Sequence, residues 1–252
     1  MTLHPATFVR RYSFSLAASL VMLAALTLVT PSARAADPAP DKPMRIGIIG
    51  AGKIGGALAK HWAKAGHEVF ISSRHPEDLQ VLAQSLGPTA KAGTPREAAV
   101  FGDVVVVSIP YGATPELGKE LGPLLAGKIV LDTGNPYPTR DGPMAEDARK
   151  RGTGAASKEF LPGTRLVRAF NAINAGPLAD EANRKPEKIG IPLASDDPKA
   201  LEVAARLVRD AGFDPVIVGG LDRAKEFDVG SAVYVKSMSA RQLRAALHLP
   251  AP

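Results

Sequence analysis

The sequence of 252 residues is 45% hydrophobic and 22% charged, a composition typical of one globular domain with at most a small appendage. It contains no cysteine, which excludes disulfides, thiolate metal ligands and cysteine nucleophiles, and no metal site is expected. The net charge is +6, but Arg10, Arg11 and Arg34 supply half of it, and the other basic residues are dispersed among carboxylates. This distribution argues against nucleic-acid binding.

Residues 1–35 have the pattern of an export signal. The basic pair Arg10-Arg11 precedes an apolar run over residues 14–29, and the small residues of Ala33-Arg34-Ala35 provide a cleavage site before Ala36. The apolar run is shorter than the ~20 residues that span a bilayer, so we expect cleavage rather than a membrane anchor.

The signal predicts a periplasmic protein that has no membrane span after cleavage. Export follows either the general secretory (Sec) route or the twin-arginine route, and if the signal is not used the protein is cytoplasmic. Arg10-Arg11 followed by Tyr12-Ser13-Phe14 indicates the twin-arginine route, although Ser13 occupies a position that is usually apolar. That route exports folded proteins, which can retain a bound cofactor. Residues 36–43, rich in Pro and Ala, predict a disordered leader.

From residue 44 onward, apolar runs of strand length alternate with segments of helical spacing. The predicted strands cover residues 44–49, 68–72, 104–108, 128–132, 165–170, 188–194 and 213–218. The predicted helices cover residues 54–65, 76–86, 114–125 and 240–247, and one more follows Asp197-Pro198 and ends at Gly212. Residues 133–162 contain many Gly and Pro residues and predict a long loop with one helical turn at most. Because parallel strands need crossover connections, this alternation predicts an α/β fold, a Rossmann-type, doubly wound, mainly parallel sheet in a single domain over residues 44–252.

A glycine-rich loop joins the first predicted strand to the first predicted helix. Its sequence is Gly50-Ala51-Gly52-Lys53-Ile54-Gly55, the G-x-G-x-x-G pattern of dinucleotide-binding folds. The first glycine permits the tight turn, the second lets a pyrophosphate approach the backbone, and the third allows close helix packing. Residues 47–53 also match the start of a nucleoside-triphosphate loop, but that loop needs Ser or Thr where Ile54 stands. The loop is therefore the predicted pyrophosphate site.

The end of the second predicted strand indicates which dinucleotide binds. NAD-specific folds have Asp or Glu there to bind the ribose hydroxyls, whereas this sequence has Ser73 and Arg74. A hydroxyl and a guanidinium suit a 2′-phosphate. The sequence therefore predicts NADP(H) as the cofactor, and the alternative is a solvated arginine in a surface turn.

Candidates for the reactive end follow the later strands, because ligands of such sheets lie beyond the carboxyl ends of the strands. Residues 108–111, 132–137 and 169–174 contain the candidates Ser108, Ile109, Pro110, Asn135 and Asn171. Asn135-Pro136 predicts a turn nearly as well as a ligand contact. The histidines lie elsewhere, so only Tyr111 and Tyr137 are candidate proton donors, and no catalytic residue is assigned. Hydride transfer between two redox rings depends on alignment more than on acid–base groups, which favours a flavin-like partner over a carbonyl.

Five segments are similar, in this order and spacing, to one known family: residues 44–49 with the glycine loop, Ser73-Arg74, residues 127–132 with Asn135-Pro136, residues 167–171 and residues 211–216. They resemble the coenzyme F420 (deazaflavin)-dependent NADP oxidoreductases, a group that includes the reductase domain of the STEAP metalloreductases. The resemblance implies NADPH bound by residues 50–55 and Ser73-Arg74. It also implies a nicotinamide near Ile109, Pro110 and Asn171, a flavin-type ring stacked against it, and a homodimer.

The sequence therefore favours an NADPH-dependent oxidoreductase that transfers hydride between NADP(H) and a flavin or deazaflavin, a small-molecule redox acceptor, with onward transfer to metal ions as an extension. One alternative is a reductase of small imines or ketones, similar to pyrroline-carboxylate reductases, favoured if Tyr111 or Tyr137 faces the nicotinamide. Another is a non-catalytic dinucleotide-binding module, which a site poor in acid–base residues suits equally well.

Overall fold

The apolar runs form a single eight-stranded sheet in the computed structural model, which describes residues 1–2 and 42–250. The strands are β1 (Arg45–Ile49), β2 (Glu68–Ser72), β3 (Ala90–Gly93), β4 (Val104–Val107), β5 (Ile129–Asp132), β6 (Arg165–Arg168), β7 (Gly190–Ala194) and β8 (Asp214–Gly219). Their order in the sheet is β3-β2-β1-β4-β5-β6-β7-β8. Neighbours are parallel except β6 and β7, which pair antiparallel through Arg168 and Ala194. The first six strands follow the Rossmann order, which confirms the predicted doubly wound, mainly parallel sheet.

Helices cover both faces of the sheet. The α-helices of the described residues are α1 (Lys53–Lys64), α2 (Gln80–Leu86), α3 (Pro95–Phe101), α4 (Thr114–Leu125), α5 (Pro138–Asp141), α6 (Pro143–Arg151), α7 (Thr153–Phe160), α8 (Ala175–Asp180), α9 (Pro198–Asp210) and α10 (Ala240–Ala246). Short 3-10 helices cover Pro76–Leu79, Tyr111–Ala113 and Leu221–Glu226. Strand β4 is apolar on both faces, so alternate valines belong to different core clusters, one containing Trp62 of α1 and the other Leu121 of α4.

Helices α1 and α9 pack together on one face of the sheet. The Asp197 carboxylate accepts two N–H groups in the first turn of α9, as the sequence predicts, and Gly212, with φ of 91°, follows its C-terminal end. Buried Trp62 Nε1 donates a hydrogen bond to Leu207 O at 2.8 Å. Helix α1, which begins in the glycine loop, is thereby anchored to the core.

The prediction of a long loop over residues 133–162 is wrong, because α5, α6 and α7 occupy most of it. Two of the prolines that suggested irregular structure, Pro138 and Pro143, lie in the first turns of α5 and α6, where the missing N–H has no intrahelical acceptor to lose. Gly142 and Gly152 separate the helices with φ of 70° and 89°, a region that glycine adopts without strain. The Gly and Pro residues therefore mark helix boundaries.

Outside residues 133–162, three of the described strands and α-helices, β3, α3 and α8, have no counterpart among the predicted elements. Helix α3 does carry a start signal, since Thr94 Oγ1 accepts the Glu97 N–H at 3.3 Å and Glu97 Oε2 accepts the Thr94 N–H at 2.8 Å. Strand β3 consists of Ala, Lys and Gly, which have low strand propensity. Strand β6 ends before the predicted boundary because Phe170 has φ of 58°, outside the β region.

The chain divides into two compact units, Met1–Ser32 and Ala33–Pro252, and the fold above belongs to the second. The predicted export signal, apart from its first two residues, and most of the predicted leader lie outside the described residues. Among the residues that the structure describes, no helix is both long enough and apolar enough to cross a membrane.

Candidate functional site

The glycine loop lies at the carboxyl end of β1, next to the ends of β2 and β4. The N–H groups of Gly50 and Ala51 both donate to Ser72 O, at 3.1 and 3.0 Å, which ties the loop to β2. Gly50 has φ of 97°, and a Cβ there would lie 2.3 Å from Ser108 O. Only glycine therefore fits the first position of the loop.

The other two glycines of the loop have opposite surroundings. A Cβ on Gly55 would lie 2.1 Å from Gly50 O, so this glycine allows α1 to approach the loop closely. A Cβ on Gly52 would meet no atom within 4 Å, so Gly52 faces open space. No described side chain caps the start of α1, and no acidic residue lies in its first turn. The amides and the positive end of the helix dipole therefore fit the pyrophosphate of a dinucleotide.

Ser73 and Arg74 follow β2 directly, beside the glycine loop. Ser73 is half-buried, and its Oγ accepts the N–H of His75 at 2.9 Å. Arg74 is exposed and forms no ion pair with any residue that the structure describes. A hydroxyl and an uncommitted guanidinium are therefore adjacent, as binding of a 2′-phosphate requires.

A cavity of about 300 Å³ extends from the glycine loop across the carboxyl ends of β4, β5 and β6. It brings together eight predicted site residues: Gly52, Lys53, Ile54, Ser108, Ile109, Pro110, Asn135 and Asn171. The remaining predicted residues lie outside it: Gly50, Ala51 and Gly55 in the adjoining loop, and Ser73 and Arg74 at the end of β2. The cavity occupies the region where the nicotinamide half of a dinucleotide extends from such a loop.

Part of the cavity wall was missed in the sequence analysis. Tyr137, before α5, was a candidate proton donor, but Arg140 and Tyr234 carried no sequence signal. The hydroxyls of Tyr137 and Tyr234 form a hydrogen bond, and the Arg140 guanidinium lies 5.1 Å from the centre of the Tyr137 ring. No local pattern places Tyr234 beside Tyr137, because their contact depends on the path of the chain after β8.

Asn135 and Asn171 connect the ends of β5 and β6. Asn135 Nδ2 donates to Asn171 O at 2.8 Å, so the residue predicted to form a turn also holds two strand ends together. Asn171 Nδ2 lies 3.4 Å from Phe227 O, whereas its Oδ1 is buried and has no hydrogen-bond partner among the described residues. A buried acceptor without a partner fits a donor group of the ligand, such as the carboxamide of a nicotinamide.

A buried ion pair also connects the ends of β5 and β6, beneath the cavity wall. Arg168 Nη1 lies 2.6 Å from Asp132 Oδ2, both side chains are fully buried, and Arg168 Nη2 lies 3.6 Å from Asp228 Oδ1. Burial disfavours the charged guanidinium, but the two carboxylates outweigh this effect and raise the pKa of Arg168. None of the three residues lines the cavity. Their role is therefore to support the strand ends.

Tyr111, the other candidate proton donor, belongs to this buried support. It is fully buried and does not line the cavity. Its hydroxyl forms a hydrogen bond with Ser157 Oγ at 2.9 Å, and Ser157 donates to Asp132 Oδ2 at 2.6 Å. Burial raises the pKa of the Tyr111 hydroxyl above its ordinary value. Nothing in this geometry supports proton donation to a ligand.

Comparison with known proteins identifies the family. Residues 45–136 match the family described as NADP oxidoreductase, coenzyme F420-dependent. The F420-dependent NADP reductase of Methanothermobacter thermautotrophicus is 32% identical over 196 residues, which cover 72% of this chain and 84% of that protein. This chain belongs to the coenzyme F420-dependent NADP oxidoreductase family. It is accordingly an NADP-dependent oxidoreductase, and the glycine loop, Ser73 and Arg74 fit that cofactor.

Two further relatives extend the comparison. Mouse metalloreductase STEAP2 is 26% identical over 192 residues, which cover 74% of this chain but 36% of that protein. The solved structure of a hypothetical protein from Sinorhizobium meliloti matches with a TM-score of 0.69 at 27% identity, over 78% of this chain and 95% of that one.

Within the described part of this chain, no group of three or more His, Cys, Asp or Glu residues could hold a metal ion.

Proposed function

We propose that this NADP-dependent oxidoreductase transfers hydride between NADP(H) and a flavin or deazaflavin. The observation that carries the proposal is the lining of the cavity, whose described residues include no His, Asp or Glu and whose two tyrosines, Tyr137 and Tyr234, are hydrogen-bonded to each other. A carbonyl acceptor needs a positioned acid, whereas two redox rings need aligned faces. Ile109, Pro110 and Ile173 provide apolar surface against which a ring can pack.

NADPH supplies the hydride when it is bound, and the chain supplies its position. The glycine loop would hold the pyrophosphate, and Ser73 with Arg74 would hold the 2′-phosphate. Asn171, whose Oδ1 lacks a partner among the described residues, would accept a hydrogen bond from the carboxamide. Because Asn135 and the buried Arg168 both fix the end of β6, Asn171 is held in place before the ligand arrives.

The charges around the cavity favour an anionic acceptor. Its only charged lining residues, as described, are the cations Lys53 and Arg140. Arg140 pairs with Asp141 at 2.8 Å, whereas exposed Lys53 forms no ion pair with a described residue. A second groove of about 590 Å³ along α1 and α8 shares Lys53 with the cavity and adds Lys60 and Asp180, so its described lining has two lysines and one carboxylate. A phosphate or carboxylate substituent on the acceptor would extend along these lysines.

Absorbance assays with purified mature protein test the proposal. NADPH oxidation at 340 nm is followed without oxygen, with FMN, FAD, a deazaflavin or a ferric chelate as the acceptor. We expect turnover with at least one of the three ring acceptors, and reduction of the ferric chelate only when such a ring is also present. Tight NADPH binding without oxidation by any acceptor would contradict the proposal.

A variant of the glycine loop provides the control. Gly52 faces open space, so Gly52→Asp should keep the fold while its carboxylate repels the pyrophosphate. Turnover that survives in Gly52→Asp would be due to a contaminant or to a site elsewhere.

A reductase of small imines or ketones is the second candidate, because Tyr137 lies on the cavity wall together with Tyr234. The same assay with a cyclic imine and a ketone separates the two candidates. Faster turnover of these compounds than of any flavin would favour the second.

We also propose that the protein is exported to the periplasm. The support is the basic pair Arg10-Arg11, the apolar run over residues 14–29 and the small-residue site before Ala36. NADP(H) bound during folding would then have to cross the membrane with the protein, which only an exporter of folded proteins permits.

A further inference from the structure

Two tyrosines from distant parts of the chain meet at the cavity. Tyr137 lies between β5 and α5, and Tyr234 lies in the segment between the 3-10 helix Leu221–Glu226 and α10. Both line the cavity, and their hydroxyl groups form a hydrogen bond with each other. This tyrosine pair, Tyr137 and Tyr234, supplies the phenolic hydroxyls among the described residues of the cavity wall.

Each tyrosine is held by contacts of its own segment. The Tyr137 N–H donates to Asp141 Oδ2 at 2.9 Å, and Arg140, whose side chain pairs with Asp141, lies over the Tyr137 ring. The residue after Tyr234 is Val235, whose N–H donates to Ala172 O at 2.9 Å and whose φ is 52°. A β-branched residue rarely adopts this conformation, so the fold constrains the backbone next to Tyr234.

The tyrosine pair has one hydroxyl proton that its internal hydrogen bond does not use. Each hydroxyl carries one proton, and their mutual hydrogen bond uses one of the two. Neither hydroxyl forms another hydrogen bond with a described residue. One hydroxyl proton is therefore available to a ligand in the cavity.

The pair remains a donor over the physiological pH range. Burial raises the pKa of the Tyr234 hydroxyl above its ordinary value, and the hydrogen bond with Tyr137 raises it further. The Arg140 charge opposes these effects only in part. The hydroxyl therefore stays protonated and acts as a donor rather than as a base.

We infer that the tyrosine pair donates a hydrogen bond to the ring of the hydride acceptor and stabilises the negative charge that the hydride brings. This inference rests on the proposed transfer to a flavin or deazaflavin. The hydride leaves the nicotinamide with two electrons, NADPH becomes NADP⁺, and the acceptor ring gains one negative charge. Conjugation places that charge on a ring nitrogen and a carbonyl oxygen, which accept the hydrogen bond. No O–H bond of the tyrosines breaks, and water supplies the proton that later neutralises the product.

Single-turnover kinetics test the inference. Protein loaded with NADPH is mixed anaerobically with FMN or a deazaflavin, and the wild type is compared with Tyr137→Phe, Tyr234→Phe and the double variant. The double variant should transfer hydride about 100-fold more slowly, since removal of one preorganised donor costs about that much. Each single variant should lose less, because one hydroxyl remains. Ser85→Ala removes an exposed hydroxyl on α2, outside the cavity, and should leave the rate unchanged.

Binding of the two redox states separates this role from a structural one. Reduced FMN at pH 8 is anionic, so the double variant should bind it about 10- to 100-fold more weakly, while its affinity for oxidised FMN and NADPH stays within about twofold. Equal losses for oxidised and reduced FMN would show that the pair only shapes the cavity and would overturn the inference.

Failure of the inference is distinguishable from failure of the proposed function. Hydride transfer to FMN or deazaflavin at the same rate in the wild type and the double variant overturns the tyrosine role alone. No transfer by the wild type to any ring acceptor overturns both. If the protein turns over a cyclic imine and the double variant does not, the proposed stabilisation of a flavin or deazaflavin is overturned. The tyrosine pair would then be assigned to protonation of the imine.

Discussion

We propose that cofactor choice depends on Arg74, an exposed residue that follows β2 and lies beside Ser73. Arg74→Ala removes a cation without removing a core contact, so the fold should be retained. We expect the Kd for NADPH to rise about 10- to 100-fold, because a charged hydrogen bond contributes about 1.5–3 kcal/mol. The Kd for NADH should change less than about twofold, since NADH has no 2′-phosphate. Titration of nucleotide fluorescence measures both constants.

Arg209→Ala is the matched control for Arg74→Ala. Arg209 is also an exposed arginine, but it lies on α9 and does not line the cavity. It should leave both nucleotide affinities unchanged. If Arg74→Ala weakened the binding of NADPH and of NADH equally, Arg74 would not contact the 2′-phosphate. The preference for NADPH over NADH would then have another origin.

Single residues were predictable where their role is local. Gly50 needs a positive φ and Gly55 needs close backbone contact, and both requirements are met within a few residues of chain. Tyr234 was not predictable, because its contact with Tyr137 spans 97 residues and needs the fold to be complete. The buried pair of Arg168 and Asp132 escaped notice for a related reason, since a charged residue in a sequence predicts exposure.

Helix α4 contains a matched pair of glycines that test how closely α4 and α7 pack. A Cβ on Gly118 would lie 1.8 Å from Phe160 O of α7, whereas a Cβ on Gly122, one turn later, would meet no atom within 4 Å. Gly118→Ala should destabilise the fold by about 1–3 kcal/mol, because the helices must separate. Gly122→Ala should stabilise it by about 0.5–1 kcal/mol, because alanine loses less entropy in a helix.

Urea unfolding followed by circular dichroism measures both changes, and each variant is the control for the other. Equal effects of the two substitutions would mean that α4 and α7 do not approach as closely as the structure shows. The distance matters for the site, since α7 carries Ser157, which donates to Asp132 beneath the strand ends.

Elements were predictable in proportion to their length and periodicity. Helices α1, α4 and α9 have 12 or 13 residues with an apolar face, enough for the helical period to be evident. Helices α5, α6 and α7 have four to nine residues separated by glycines, too few for a period to emerge. Their stability comes from tertiary contacts, which a local pattern does not contain.

At the scale of the molecule, the alternation of strands and helices was sufficient to predict the sheet. It predicts parallel neighbours because each crossover helix returns the chain to the same end of the sheet. The reversal between β6 and β7 was not predicted, because the connection contains only the short helix α8 before an irregular stretch. This reversal begins the segment that carries Tyr234 to the cavity, so the least predictable part of the fold completes the site.

Export is a property of the whole chain, and it determines the location and the first residue of the mature protein. N-terminal sequencing of protein from the periplasmic fraction should show Ala36 as the first residue. Replacing Arg10 and Arg11 with Lys preserves charge, so it should retain the protein in the cytoplasm only if the twin-arginine route is used. Arg34→Lys, outside the pair, is the control and should be exported.

The two routes differ in what arrives in the periplasm. A twin-arginine substrate crosses folded, so periplasmic protein should contain NADP(H), which can be released by acid or base and measured enzymatically. A chain that crosses unfolded leaves its cofactor behind, and its periplasmic form should be free of nucleotide until NADPH is added. Protein found only in the cytoplasm with Met1 intact would contradict export, and the site would then work on the cytoplasmic NADPH pool.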